Sequence, residues 1–513
     1  MSPGYSFSLS GRQKALVVGL ALASITTIPY LVAFASQGNG WRFSGFLFNV
    51  EDGNSYLAKI LLGSEGAWLF RTPYTTMPHP GSLVYLPYIF LGKLAIVNSH
   101  LCLLALFHGF RFVATVLLAL ACYDFLGLFL PSEPLRLFGT ILGLAGGGLG
   151  WVLFLRGNLE WLGSQPLDFI SPESFGFLAI FLLPHLSLAR ALLLWTLTGF
   201  LKGKSWRWGL LALAMALIHP LEAINLWAIV LAYSLVEILR SRPIKNPMPL
   251  FLFPAPLVFH LAFLTLTHPF YRVWNAQMNV RSPHPLHYLL AYGWVIPALL
   301  IGALKLLREP FGDVAVAWTA LTPLLVYLPT TSQRRLAEGV WVAMVALALK
   351  AFGERKRLLA LWSVPLFISS AVIWAGSLAV AANPSTPAFL PEGEAKAFEA
   401  LKSMAKPGDG VIASYPTSNL LPAWAPVKVP FGHGAESYLR DLWEVRVRTF
   451  FSSEAPNDFR LELMRTARIR WVFWGPEERA LGAWAPESMP ELCERYSEAG
   501  YSIWELCLER RGR

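Results

Sequence analysis

The stretch richest in reactive groups is Glu51-Asp52 followed by GNSYLAKILLGSEGAWLFRTPYTTMPHPGSLVY. Two adjacent carboxylates could supply a base for an incoming hydroxyl, and the aromatic, Pro and His residues behind them suit a binding loop. Tyr56, Leu57, Ile60 and Leu61 form an i, i+1, i+4, i+5 apolar face with Lys59 opposite, which predicts a short helix over 53–63 lying on a membrane surface. Asp52 then sits at or just before the helix start, where a carboxylate is electrostatically favoured. In the plainer alternative Asp52 only caps that helix and Glu51 is a solvated neighbour. Scarcity favours a chemical use, because residues 1–384 hold only 14 carboxylates.

Three other clusters carry polar chemistry in apolar surroundings. Gln333-Arg334-Arg335 joins two apolar runs; its arginines could clamp a lipid-linked phosphate bidentately, or snorkel to lipid headgroups. SPESFGFLAIFLLPHLSLAR brings Glu173, His185 and Arg190, with Asp168 just before it. Ionisable groups inside such a helix are costly and usually face a cavity, although a bond from His185 to neighbouring backbone would explain it as well. His219-Pro220-Leu221-Glu222 breaks another run, with Asn225 one turn on; it is either a cavity-lining break or a structural kink. His79 in MPHPG, and His284 and His287 with Trp274, Asn275 and Gln277 upstream, could stack on and hydrogen-bond sugars, but interfacial belts use the same aromatic residues. A divalent cation, Mg or Mn, would draw on Asp52 and Asp168, with Glu173 and the histidines as further ligands. No tight ligand spacing such as HExxH accompanies them.

The elements that must position these residues follow from composition. The 513 residues are 55% hydrophobic and 14% charged, with a mean hydropathy of +0.48, far from the roughly 25% charge of soluble domains. Residues 1–384 carry 26 basic and 14 acidic side chains, residues 385–513 carry 16 and 18. The pattern predicts a polytopic α-helical membrane region, 1–384, and a small soluble α/β domain, 385–513. It excludes a single soluble enzyme, a one-span anchored domain, a disordered chain and a nucleic-acid-binding protein as primary readings.

Apolar runs approaching the roughly 20 residues of a bilayer crossing fall near 15–36, 101–130, 137–155, 176–200, 209–239, 248–267, 288–304, 314–330, 336–350 and 358–381, with 209–239 broken at His219-Pro220. About ten to thirteen spans result. The segment 83–97 is too weak for a crossing and is expected as a re-entrant or oblique piece. Basic clusters Arg12/Lys14, Lys202/Lys204/Arg207, Arg240/Arg242/Lys245, Lys305/Arg308 and Arg355/Lys356/Arg357 predict cytoplasmic loops. Threading between them puts the N-terminus in the cytoplasm and loop 37–82, loop 156–175, the 331–338 turn and the tail outside the plasma membrane. Most of the formal net charge of +10 is then a record of sidedness.

In the tail, helices are expected over 392–404, 435–450, 456–467 and 487–499, the last ended by Gly500, and strands over 410–415, 469–475 and 501–509. No phosphate loop or nucleophile elbow is present, so an acceptor-binding or lid role suits it better than an independent active site. Gly432-His433-Gly434 is the one loop with the backbone freedom to approach the membrane cavity, although a plain turn is the better reading of it. Cys493 and Cys507 could pair in an oxidising exterior.

The acidic pair in the first outer loop, the multi-span body and the C-terminal outer domain together resemble the GT-C superfamily of integral membrane glycosyltransferases, which includes oligosaccharyltransferase catalytic subunits, protein mannosyltransferases and aminoarabinose transferases. The resemblance covers the architecture of nearly the whole chain and, by motif, Glu51-Asp52. It implies transfer of a sugar from a polyprenyl-phosphate-type lipid donor to a glycan, lipid or protein acceptor on the extracytoplasmic face. By position the first-loop base would be Asp52, with Glu51 beside it. Phosphate or substrate contacts would fall to Gln333, Arg334, Arg335, His185, Glu173, His219, Glu222 and His79. The tail lacks the WWDYG-like segment of oligosaccharyltransferases, which argues against sequon glycosylation. A non-catalytic transporter or flippase, or a scaffold for lipid-linked glycans, is the alternative from another class.

Overall fold

The computed structural model describes residues 9–203, 206–353 and 355–507. Lys204 and the last two residues of the expected strand 501–509 lie outside these. The chain divides into two compact units. The first comprises residues 1–29, 109–260 and 280–377; the second comprises 30–108, 261–279 and 378–513. The tail therefore groups with residues 37–82.

Among the described residues five helices are long and apolar enough to cross a membrane: Gly11–Ser36 (α1), His100–Leu126, Leu221–Leu239, Met248–Thr267 and Lys356–Ala382. A sixth results if Pro285–Tyr292 and Ile296–Leu306, bent by 74°, form one broken span. This is fewer than the ten to thirteen expected, because several apolar runs are interrupted. The 176–200 run divides into Gly176–Leu182 and Pro184–Lys202, where Pro184 removes a backbone donor. The 209–239 run breaks at His219-Pro220 into Trp206–Ile218 and Leu221–Leu239, as expected. The 336–350 run yields Val340–Phe352, only 13 residues long. Within the first unit a Cβ at Gly302 would lie 1.8 Å from the Leu347 carbonyl oxygen, so helix Ile296–Leu306 approaches Val340–Phe352 as closely as backbones allow.

In the second unit the acidic pair belongs to Val50–Ser64 (α2), longer than the 53–63 helix expected. Glu51 and Asp52 stand inside its first turn rather than before it. Asn49 is the N-cap, in the left-handed region and without a capping side-chain bond. The helix is buried on nearly all sides, and Lys59, expected on the polar face, is fully buried. Segment 83–97 forms the seven-residue helix Leu86–Gly92 (α3) instead of a crossing. It crosses α2 at paired glycines: a Cβ at Gly63 would meet the Ile89 oxygen at 2.1 Å, and one at Gly92 the Ile60 oxygen at 2.1 Å.

Trp41–Phe43 (β1) pairs antiparallel with Phe389–Pro391 (β2). The tail sheet has the order β3-β4-β6-β5, from Gly410–Ile412 (β3), Ile469–Trp474 (β4), Leu492–Glu498 (β5) and Tyr501–Leu506 (β6). β3 and β4 are parallel and the other pairs antiparallel. Its core includes Ile412, Phe450, Phe451, Val472 and Trp504. Helix Glu392–Met404 matches its expected bounds. The expected helix 487–499 is instead strand β5. Its Glu and Arg content reads as helical, but Ala499 (φ 53°) and Gly500 (φ 82°) form the two-residue left-handed turn that a tight hairpin needs, and Cys493 of β5 is disulfide-bonded to Cys507, the residue after β6. Gly500 is therefore a hairpin turn residue and not a helix cap.

Candidate functional site

The chain folds Tyr415–Trp424 into a helix directly after β3, its start capped by Ser414, which accepts from the Thr417 amide. That helix and the following loop 432–437 carry the partners of the acidic pair. Glu51 Oε1 accepts from the Tyr415 hydroxyl at 2.8 Å and from the Gly434 amide at 2.6 Å. Asn419 Nδ2 donates to the Glu51 carbonyl at 3.2 Å, and Asn54 Nδ2 donates to Asn419 Oδ1 at 2.8 Å. Asp52 Oδ1 lies 2.9 Å from His433 Nε2, and its Oδ2 accepts from Asn49 Nδ2 at 2.7 Å. The Asp52 side chain is 40% exposed whereas His433 is 7% exposed, so the carboxylate is the accessible member of the pair and the ring the buried one.

Loop 432–437 is braced from several sides. Ser437 Oγ accepts from the amides of Gly432 and His433, both at 3.0 Å, and donates to the His433 carbonyl at 2.6 Å. Gly432 has φ 155°, and a Cβ there would meet the Ser418 backbone at 2.6 Å. Gln277, expected as a sugar-binding amide, donates to the Ser437 carbonyl at 2.5 Å. Beneath the loop Lys59 Nζ pairs with Glu436 Oε1 at 2.5 Å, with side-chain exposures of 0% and 3%. Lys59 also donates to Ser55 Oγ, and Glu436 accepts from Ser55 Oγ at 2.7 Å and from Thr72 Oγ1 at 3.2 Å. The ammonium stands over the Tyr85 ring at 4.2 Å and the Phe70 ring at 5.2 Å.

The electrostatics follow from these contacts. Burial alone would raise the Asp52 pKa, but the hydrogen bond from His433, then that from Asn49 and the charge of Lys59, hold it at about 2. Burial lowers the Lys59 pKa, with Glu436 opposing. Glu436 itself is lowered because Lys59 and His433 outweigh its burial. His433 is raised, its burial outweighed by the bond to Asp52 and the charge of Glu436. Burial and the Glu51 charge raise Tyr415, so it stays a hydroxyl donor.

His79 lies elsewhere in this unit. Its ring stacks on Phe270 at 4.1 Å and its Nδ1 faces the Met77 carbonyl at 3.0 Å. Trp274 joins a buried aromatic cluster with Phe70, Phe270 and Tyr271.

The first unit assembles a second polar cluster. Glu173 lies 4.0 Å from Arg334 Nε and 3.9 Å from Arg335 Nε, the two arginine side chains being 20% and 29% exposed. Arg190 is buried against Glu338 and donates to the carbonyl of Pro172 at 2.6 Å. His219 Nδ1 lies 3.2 Å from Glu222 Oε1, Asn225 Nδ2 donates to Glu222 at 3.4 Å, and the rings of His185 and His219 are 5.9 Å apart. Gln333 is spent on backbone: it accepts from the Ser282 amide at 3.1 Å and donates to the Leu328 carbonyl at 2.8 Å. Asp168 accepts from the Gly150 amide at 3.1 Å and from Ser369 Oγ at 2.6 Å. Among the described residues no three His, Cys, Asp or Glu side chains come together as a metal-ligand set.

Sequence reasoning missed Tyr415, Asn419 and Glu436 and left His433 as a turn residue. The signals were present in the glycines flanking His433 and in Lys59, whose placement on an otherwise apolar helix required a carboxylate from elsewhere.

No known protein family matches the chain by sequence profile, and no curated protein matches it by sequence. Among solved structures, the apo oligosaccharyltransferase of Archaeoglobus fulgidus aligns with 90% of this chain and 69% of its own, at 12% identity and a TM-score of 0.52. The same enzyme in complex with Zn and sulfate aligns with 94% and 73%, at 14% identity and a TM-score of 0.48. Its complex with an inhibitory peptide and a dolichol-phosphate aligns with 95% and 74%, at 12% identity and a TM-score of 0.48. At such identities the likeness is one of architecture, and this chain shares the fold of the Archaeoglobus fulgidus oligosaccharyltransferase.

Proposed function

We propose that the protein is a multi-pass membrane glycosyltransferase that moves a sugar from a polyprenyl-phosphate-type donor to an acceptor hydroxyl on the extracytoplasmic face. The observation that carries this reading is Asp52, a partly exposed carboxylate held on one oxygen by His433 and on the other by Asn49. In the reaction the acceptor oxygen attacks the anomeric carbon, the bond from that carbon to the phosphate oxygen breaks with its electron pair leaving on phosphate, and the hydroxyl proton passes to Asp52. A carboxylate with a pKa of about 2 is a weak base. It takes the proton late, once the attacking oxygen has become acidic through bonding to carbon. Phosphate departs without protonation, so Glu51, tied to Tyr415 and Gly434, serves to fix the first turn of α2 and is not required as an acid.

Arg334 and Arg335 are the cations assigned to the donor phosphate. Their separation of about 4 Å from Glu173 leaves room for a phosphate oxygen to displace that carboxylate. His185, His219 and Glu222 line the same cluster and are assigned to the substrate. His79 and Gln333, engaged in stacking and backbone bonds, support loops in this reading. The disulfide in the tail and the positions of the basic loops support a cytoplasmic N-terminus and an exterior tail.

The test is sugar transfer from a polyprenyl-phosphate donor by the purified protein in liposomes. Asp52→Asn should lower turnover by roughly 10²–10⁴-fold, the usual worth of a general base. Undiminished turnover sinks the role of Asp52, and donor movement across the bilayer without transfer would favour the flippase alternative.

A further inference from the structure

Both nitrogens of His433 have assigned tasks. The Glu436 amide donates to Nδ1 at 3.2 Å, which makes Nδ1 an acceptor and leaves the ring proton on Nε2. Nε2 faces Asp52 Oδ1 at 2.9 Å and therefore donates to it. The imidazole has no nitrogen left with which to take a substrate proton, and at 7% exposure it has no surface from which to touch substrate. Its ring position is over-determined: Ser437 grips the backbone of residues 432 and 433, and the neighbouring Glu436 is anchored on buried Lys59 of the same α2 that carries Asp52.

We infer that His433 is a positioning residue for the transfer reaction: as a neutral Nε2–H donor it fixes the Asp52 carboxylate, so that one lone pair on each oxygen remains directed at the acceptor. This rests on the transferase reading above. It makes the tail a structural part of the acidic site, in place of a lid that closes over it. The arrangement follows the general rule that a reacting carboxylate must itself be held within a narrow geometry by a second group.

The experiment compares His433→Ala, His433→Gln and His433→Asn in full-length protein in nanodiscs. Glutamine can place its amide nitrogen near the position of Nε2, whereas asparagine is too short. Expected are a roughly 10–100-fold fall in kcat for alanine and asparagine with donor KM within about twofold, and recovery to near wild type for glutamine. Equal activities of the glutamine and alanine variants, or a loss confined to KM, overturn the inference. The second readout needs no turnover: in ¹⁵N-histidine-labelled protein the His433 ring should show a protonated Nε2 and an unprotonated Nδ1, with Nε2 altered by Asp52→Asn. A proton on Nδ1, or a spectrum indifferent to Asp52→Asn, overturns it. Wild-type protein that transfers no sugar while showing the expected ring state refutes the transferase reading and upholds the contact.

Discussion

Replacing Glu436 with glutamine would strand the Lys59 ammonium in the interior. The two side chains are 0% and 3% exposed, so water cannot take over the lost charge. Removing one member of such a pair costs about 3–5 kcal/mol. Ser55 and the Tyr85 ring face at 4.2 Å remain as partial compensation, of which a cation–π contact supplies about 1–2 kcal/mol. The net cost should be about 1–4 kcal/mol. At roughly 2–4 °C per kcal/mol for a unit of this size, the Glu436→Gln protein should lose roughly 2–16 °C in Tm. Adding Lys59→Met removes the stranded charge while the glutamine oxygen still accepts from Ser55 and its amide nitrogen can donate to the Thr72 hydroxyl, so the double variant should return most of the way to wild type. The measurement is thermal unfolding of the full-length protein in nanodiscs, read by intrinsic tryptophan fluorescence. A loss under about 2 °C in the single variant, or a double variant no more stable than the single, would show that the pair is not the buried bond described.

Two further expectations concern acidity and sidedness. Asp52 and Glu436 both have pKa values below those of the unfolded chain, so their contribution is complete above the ordinary carboxylate range near pH 4. It is lost as pH falls through the folded values, about 2 for Asp52. Acid unfolding of the second unit should therefore steepen between about pH 4 and pH 2, and Asp52→Asn should flatten that limb; a curve indifferent to the substitution refutes the depressed pKa. A cysteine placed at Ser332 should react with an impermeant thiol reagent in intact cells. Labelling only after permeabilisation would return Arg334 and Arg335 to the cytoplasm and remove them from an exterior phosphate.

What could be read in the sequence was governed by local rules. Pro220 marks a helix break because proline lacks a donor wherever it stands, and the strand over 469–475 announces itself through its own apolar residues. The carboxylates of 51 and 52 stood out because a membrane region has few of them. The partners of those carboxylates were not legible, since His433 lies 381 residues from Asp52 and nothing local requires the two to meet. Lys59 misled for a related reason: helical periodicity assigns a lysine to water, and only a carboxylate contributed from the tail makes its burial affordable. Strand β5 was lost because its charged composition favours helix while its pairing with β6 and the bridge to Cys507 are set by a neighbour in the sheet.

The distance in sequence between Lys59 and Glu436 also has a meaning in time. α2 leaves the ribosome 377 residues before its counter-charge, an interval of roughly 20–75 s at ordinary synthesis rates of 5–20 residues per second. Throughout it the lysine cannot enter an apolar core without penalty, and Glu51 and Asp52 lack the donors that hold them. A nascent chain is thus kept from assembling its acidic pair until translation has passed residue 437, which couples the appearance of the site to the near completion of the polypeptide.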